Sequence, residues 1–193
     1  MPSEPTFNVD ETLRKAGETF WSNGYAATSM NDLLAAMGIQ KGSFYNTYGS
    51  KRDAYLNALE QYATTRFAYF SDQVVGQGPT QALTSLLNII SDECVSNQGH
   101  KGCMMINCAL ELAHTDTAAQ RAVQRSLENH EQSFADLITA GQAAGEIDKA
   151  LDTNATAKAM LAIVIGMRVM SRAGSPSSAI RTLRDQALQL LKT

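Results

Sequence analysis

FWSNGYAATSMNDLLAAMGIQKGSFYNTYGSKRD, residues 20–53, is the stretch that decides the fold. Ser29-Met30-Asn31-Asp32 has the form of a capping box, in which a hydroxyl accepts the third backbone N–H of a helix and an acid three residues on returns the bond. Met30, Leu33, Leu34 and Met37 then recur at helical spacing, predicting the buried face of a short helix that stops at Gly38. Only Ile39-Gln40 separates it from a second short helix, Lys41 to about Asn46, whose apolar anchor is Phe44. Upstream, Val9, Leu13, Ala16 and Phe20 repeat with the same period, and Gly24 closes that helix. Downstream, Ser50-Lys51-Arg52-Asp53 is a second capping box. It opens a long helix with the stripe Leu56, Leu59, Ala63, Phe67, Phe70 and Val74.

The rest of the chain continues in helical periods. Gly76-Gln77-Gly78-Pro79 ends the long helix. Leu83, Leu86, Leu87, Ile90 and Cys94 mark the next, which closes in the loop Asn97 to Lys101. Cys103 to Leu112 is apolar on most sides, which predicts a helix buried in the second half. Asp116 opens a long amphipathic helix with Val123, Leu127, Phe134, Leu137 and Ile138, broken at Gly141 to Gly145. Thr153 to Arg172 is rich in small residues and Met, and Pro176 starts a last helix with Ile180, Leu183, Ala187, Leu190 and Leu191. No repeat and no strand-period alternation of useful length occurs. The prediction is an all-α fold of about nine helices, with a three-helix N-terminal unit over 1–52 and a helical unit over 53–193, residues 53–75 forming the connecting helix.

Composition narrows the class. A hydrophobic fraction of 44% with 18% charged residues over 193 residues argues for a packed globular chain. The N-terminus is polar and acidic without the apolar region of a signal peptide. Met160 to Met167 is the longest apolar run and too short to span a bilayer. Three cysteines without framework spacing suit a reducing compartment. The expectation is a cytoplasmic protein without a membrane partner. Net charge is −3, so no global positive field draws the chain to nucleic acid. Charge at such an interface is local, however, and between Asp32 and Asp53 the only charges are Lys41, Lys51 and Arg52.

Two short helices across a tight turn, the second polar on one side, have the layout of a helix-turn-helix, which sets its second helix in the DNA major groove while the first crosses the backbone. Phe44 pins that second helix, and Gln40, Lys41, Ser43, Tyr45 and Asn46 can point outward. Gly42 allows close approach of backbone to duplex. Tyr45, Tyr48 and Thr28 can give hydroxyls to phosphates, and Gln40, Lys41 and Asn46 are the candidates for base edges. Lys51 opposes the dipole of the helix it starts, a cost explained by a phosphate opposite it. The expected DNA-facing set is Thr28, Ser29, Gln40, Lys41, Gly42, Ser43, Tyr45, Asn46, Tyr48 and Lys51. Read without DNA, the same aromatics and lysine pack and solvate a three-helix bundle.

Phe20…Gly24-Tyr25…Thr28-Ser29-Met30, then Ala36-Met37-Gly38-Ile39, Lys41-Gly42-Ser43-Phe44-Tyr45 and Tyr48-Gly49-Ser50-Lys51 together resemble the DNA-binding domain of the TetR family of transcriptional regulators. The resemblance covers some forty residues. It implies a homodimer with two such heads on a double-stranded operator, a ligand-responsive C-terminal domain, and repression relieved by an inducer. The chain departs from the family pattern at Asn46-Thr47-Tyr48 and at Arg52, so operator sequence does not carry over.

His100, Cys103, Cys108 and His114 gather two imidazoles and two thiols in one stretch. Cys103 and Cys108 are offset on a helix, a poor arrangement for a shared metal, and no metal or cofactor is expected. Cys103, in the first helical turn after His100 and Lys101, has the placement that favours a thiolate. The run from Lys101 to Leu112 also resembles, more weakly, a segment of TetR-type regulators that respond to electrophiles or oxidants. Read plainly, Cys103 and Cys108 are small buried apolar residues, and Cys94 belongs to the core. A non-covalent pocket is the other sensor, with Cys103, Met104, Met105, Ile106, Cys108, Phe67, Phe70, Phe134 and Met160 as its candidate wall. Ordinary core packing accounts for each of these singly.

Ala155, Ala159, Ala162 and Gly166 allow close helix approach, and Ile180, Leu183, Ala187 and Leu191 form a stripe that a lone domain would leave partly exposed. The resemblance implies that these two helices pair across a dimer as a four-helix bundle, with recognition helices roughly 34–40 Å apart. Two other readings compete: a helical protein-interaction module, and a small enzyme using the His100/Cys103/Cys108 stretch, although no nucleophile–base–orienter set is placed by sequence.

Overall fold

The structure, a computed structural model, describes residues 7–192. Among these, nine α-helices and no strand occur: α1 (Val9–Asn23), α2 (Met30–Met37), α3 (Lys41–Tyr48), α4 (Lys51–Gln73), α5 (Pro79–Val95), α6 (Met104–Glu111), α7 (Thr117–Ala144), α8 (Thr153–Arg172) and α9 (Ser177–Gln189). A 3-10 turn, Gly99–Lys101, precedes α6. The all-α reading and its helix count hold.

Local chemistry sets the ends. The Ser29 side chain accepts the Asp32 N–H and the Asp32 carboxylate accepts the Ser29 N–H, so the first capping box is complete. Ser50 accepts the Asp53 N–H at 3.1 Å and gives its hydroxyl to the same carboxylate at 2.6 Å, a cap without the returning backbone bond. α3 runs to Tyr48, further than Asn46, because Tyr48 joins the core. Pro176 is the N-cap of α9 rather than its first residue, and Cys103 is likewise the N-cap of α6, just outside its first turn.

Two large apolar cores result. The first gathers Ala16, Phe20, Leu33, Met37, Phe44, Tyr55 and Leu59 from α1–α4, and is closed by Met104, Met105 and Cys108 of α6 and Ala119 and Val123 of α7. The N-terminal unit is thus sealed by helices from the other half of the chain. The second packs Leu83, Leu87, Phe134, Ile138, Met160, Ala187 and Leu191 between α5, α7, α8 and α9. A smaller cluster joins Ile90, Cys94, Met167 and Ile180.

The stripe on α9 corrects one expectation. Ile180, Ala187 and Leu191 are buried within the single chain against α5 and α8, and only Leu183 of that set stays half-buried. Burying an Ile or Leu side chain such as Ile180 or Leu191 stabilises by roughly 1.5–3 kcal/mol. Those side chains serve the monomer core, and α9 turns Arg181, Thr182, Asp185, Gln186 and Gln189 to its exposed side. On α8, Ala155 and Ala162 are exposed and Ala159 and Gly166 half-buried.

Candidate nucleic-acid interface and the cavity behind it

α2 and α3 meet across Gly38, whose φ of 69° turns the chain in the left-handed region. Phe44 is fully buried and holds α3 by its ring, with Tyr45 edge-on at 5.5 Å and Tyr48 at 5.4 Å. Anchored so, α3 presents Gln40, Lys41, Gly42, Tyr45 and Asn46 as exposed residues, with Ser43 half-buried among them. Tyr45 is 42% exposed, unusual for a large aromatic. No atom lies within 4 Å of a Cβ built on Gly42, so the backbone there is open to close approach. Ser29 is exposed but its hydroxyl is engaged by Asp32 at 2.7 Å.

Three expected phosphate contacts need revision. Tyr48 is buried, and its hydroxyl bonds Thr12 Oγ1 at 2.5 Å and donates to the Val9 carbonyl at 3.0 Å, tying α3 to the start of α1. Thr28 is buried and donates to the Gly24 carbonyl at 2.6 Å. Both hydroxyls are satisfied inside the head, because a buried hydroxyl without a partner is costly. Lys51 needs no phosphate to explain it: its ammonium lies 4.6 Å from the centre of the Tyr25 ring, a cation–π contact that offsets its clash with the α4 dipole. Arg52, the third local cation, is held by Asp116 through both Nε and Nη2, the latter at 2.8 Å to Oδ1. The outward positive charge of the face is therefore Lys41 and, partly, Lys51.

That Arg52–Asp116 pair belongs to a bracket. Asp116 also caps α7 by accepting the N–H groups of Ala118 and Ala119, and Arg52 and these bonds hold its carboxyl at a pKa of about 2. One step earlier, the Glu111 carboxylate accepts the Tyr25 N–H at 2.7 Å. At the other end of α6, the Trp21 indole donates to the Gly102 carbonyl at 3.2 Å, and Lys101 reaches Glu18 at 3.4 Å while lying 5.0 Å over the Trp21 ring. Segment 101–116 thus grips the head at both ends. Sequence alone did not single out Trp21, Arg52, Glu111 or Asp116 for this.

Behind α6 lies a small apolar cavity of about 60 Å³, walled by Phe70, Met105, Ile106, Leu161, Val164 and Cys103, with Tyr62, Arg66 and Arg168 at one side. A neighbouring cavity of about 260 Å³ between α4, α5 and α7 is lined by Phe67, Phe70, Phe134 and His130. Of the expected wall, Cys103, Met105, Ile106, Phe67, Phe70 and Phe134 line these spaces. Cys108 and Met160 instead fill the first and second cores, and Met104, also in the first core, borders a separate cleft of about 500 Å³ with Trp21 and Tyr62. The Cys103 sulfur accepts the Tyr62 hydroxyl at 3.8 Å. The cations named from sequence are not its partners: Lys101 is turned to Glu18 and Trp21, and His100 Nδ1 contacts the Asn97 carbonyl at 2.8 Å.

The charged group at this cavity was missed. Glu93 of α5 bonds Arg66 of α4 through both oxygens at 2.6 Å and Arg168 of α8 through one at 2.6 Å. Burial pushes the Glu93 carboxyl up, but the hydrogen bonds from the two guanidiniums prevail and hold it below the ordinary glutamate value. The readable signal was Arg168, the one charge in the otherwise apolar run Met160 to Met170.

Residues 13–56 match the profile of bacterial regulatory proteins of the tetR family, and residues 79–187 match the tetracyclin repressor-like C-terminal domain. The second match alone spans more than half of the chain. The chain belongs to the TetR family. The HTH-type transcriptional repressor ComR of Escherichia coli (strain K12) is 25% identical over 186 residues, covering 95% of this chain and 89% of that protein. A TetR regulator from Chloroflexus aurantiacus superposes with a TM-score of 0.86 at 21% identity, over 95% of this chain and 93% of that one. The TetR regulator CifR, in a cysteine-substituted form complexed with 26-base-pair operator DNA, gives 0.85 at 23% identity, over 97% and 98%.

As a TetR-family member the chain is a helix-turn-helix transcription regulator and not an enzyme. The His100–His114 stretch fits that outcome: Cys108 is buried in the first core, with burial pushing its thiol up, while His100 and His114 are exposed. Among the described residues no three His, Cys, Asp or Glu side chains converge as a metal site, and no helix is long and apolar enough to cross a membrane.

Proposed function

We propose that this TetR-family chain is a cytoplasmic, homodimeric repressor that sets two copies of α3 in successive major grooves of a palindromic operator and lets go when its C-terminal cavity is occupied. The observation that carries the reading is the α3 face itself: an exposed Gln40-Lys41-Gly42 corner with Tyr45 and Asn46 beside it, pinned from behind by buried Phe44 and Tyr48. Lys41 and Tyr45 approach phosphate and groove edge, and Gln40 and Asn46 read bases. Ser29, Gly42 and Ser43 sit close to the backbone. Thr28, Tyr48 and Lys51 position these groups from inside the head. Ala155, Ala159, Ala162 and Gly166, with exposed Val169, supply the small-residue face of α8 for the two-fold partner.

The test is fluorescence anisotropy on an operator selected from genomic fragments, repeated over a salt series. Affinity should fall steeply with salt, and Lys41→Ala should lower the magnitude of the log–log slope by about 1 for each phosphate that Lys41 neutralises. A double variant Lys41→Ala/Tyr45→Phe that binds as tightly as the parent, with the same slope, would overturn the reading.

A covalent signal is a second reading that one observation favours. Cys103 is half-buried at the α6 N-cap, lines the cavity, and accepts a hydrogen bond from Tyr62. An oxidant or electrophile reaching it would act where α6 begins. Cys103→Ser should then abolish oxidant-driven release from the operator, and unchanged release would remove the thiol from the mechanism.

A further inference from the structure

Arg66, Glu93 and Arg168 are unequal in number. Two guanidiniums share one carboxylate, and the Arg168 side chain is only 12% exposed. One positive charge is left over in a partly desolvated place, where an unmatched charge is unfavourable. Tyr62, Arg66 and Arg168 stand as a partition between two spaces. On one side is the 60 Å³ apolar cavity, and on the other a polar recess of about 250 Å³ bordered by Trp21, Gln98 and Glu93. Glu93 lies only on the polar side. Among the described residues, the apolar side therefore meets the cationic partition with no anion of its own.

We propose that the effector is a short-chain monocarboxylate, its carboxylate on Arg168 and Arg66 and its alkyl tail in the apolar cavity between α6 and α8. This rests on the reading of the cavity as the effector site. Each element of the class follows from the residues. A planar guanidinium pairs a carboxylate through two parallel hydrogen bonds. One surplus positive charge matches a monoanion, whereas a dianion would leave a surplus of the other sign. The tail faces Ile106, Leu161 and Val164, and 60 Å³ has room for roughly two water-sized volumes, hence only a few carbons. Glu93 keeps its bonds to the same guanidiniums from the polar side, and its negative charge opposes that of the incoming carboxylate.

The probes are sodium butyrate and its neutral isostere butyramide, added to the full chain and read by thermal unfolding and by anisotropy on the selected operator. Butyrate should raise the melting temperature and release DNA, with butyramide at the same concentration doing neither. Arg168→Gln should weaken butyrate at least tenfold. Glu93→Gln removes that opposing negative charge and should tighten butyrate at least tenfold, a gain that a merely structural carboxylate would not give and that stays readable if Arg168→Gln folds poorly. Equal stabilisation by butyramide, or a Glu93→Gln chain with unchanged or weaker butyrate affinity, would overturn the proposal. The two readings fail separately: unfolding reports butyrate without DNA, and operator binding without butyrate reports the repressor.

Discussion

Gly24 to Ala is the substitution whose cost separates backbone strain from steric conflict in the head. Gly24 ends α1 with φ 86° and ψ 163°, a region open essentially to glycine alone, and its N–H closes on the Phe20 carbonyl at 2.8 Å. A Cβ there would stand 2.5 Å from one Glu111 carboxylate oxygen and 3.1 Å from the other. Two costs compete. Strain at such a backbone position is roughly 1–3 kcal/mol. The clash is cheaper, because Glu111 is the exposed end of a flexible side chain that can swing away, and the Tyr25 N–H it leaves is exposed to water. Strain therefore dominates, offset in part by about 0.4–1 kcal/mol of lost unfolded-state entropy. With about 2–4 °C per kcal/mol for a domain of this size, Gly24→Ala should melt below the parent by up to about 10 °C. Circular dichroism melts of Gly24→Ala, Glu111→Ala and the double variant form the assay. Glu111→Ala should leave most of the Gly24→Ala loss in place. If the double variant melts no lower than Glu111→Ala alone, the loss came from the clash and the strain account fails.

Tyr48→Phe should cost about 1–2 kcal/mol by denaturant melt, for the missing bonds to Thr12 and Val9, while operator affinity of the folded protein and its salt slope stay unchanged; a smaller salt slope would return that hydroxyl to a phosphate. Asp116, ordinarily near 3.8 and held at about 2 when folded, gives stability that is present above pH 4 and lost as pH falls toward 2, so acid titration of Asp116→Asn should show a shallower loss in that window. Ala162→Glu should separate the dimer in sedimentation without dissolving the monomer core, whereas Ile180→Ala, at 1% exposure, should cost about 2–5 kcal/mol in melts. Met105→Ala should still bind butyrate yet lose much of butyrate-driven operator release by anisotropy; full release would place the signal elsewhere.

What was legible before the structure was local. Caps at Ser29 and Ser50, breaks at Gly24, Gly38 and Gly76–Pro79, and helical stripes depend on neighbours three or four residues away, so nine helices and the exposed α3 face could be read from periodicity. What was not legible depends on partners remote in sequence. Tyr48 turns inward because Thr12 and Val9 of α1 meet its hydroxyl. Lys51 is settled by Tyr25. The α9 stripe was assigned to a second subunit on the assumption that one chain would leave it bare, but α5 and α8 cover Ile180 and Ala187. Met160 and Cys108 fill cores rather than a pocket because an apolar side chain within an apolar run carries no mark of the cavity it faces. Arg168 carried such a mark, a charge alone among aliphatics.

The route from cavity to DNA follows from which contacts are strong enough to carry it. The four polar links of segment 101–116 to the head are largely solvent-exposed, and exposed pairs are individually weak. They register the head but do not hold it against a few kcal/mol of ligand energy. Packing does the holding: Met104, Met105 and Cys108 are buried in the same core as Phe20, Leu33 and Tyr55. Met105 alone among the three also lines the apolar cavity, so it touches the space where a ligand tail would sit and the core on which the head rests. A close-packed core does not absorb displacement gradually, so pushing Met105 shifts α6 as a unit. Under the proposed mechanism the shared core, with Met104 and Cys108 packed against Phe20 and Tyr55, would carry that shift into the head and so to α3, while the 101–116 bracket keeps the two in register. In the proposed dimer, two heads spaced for successive major grooves would tolerate little rotation of either, and a saturating ligand that binds the rotated state about 100-fold better would lower operator affinity by at most that factor.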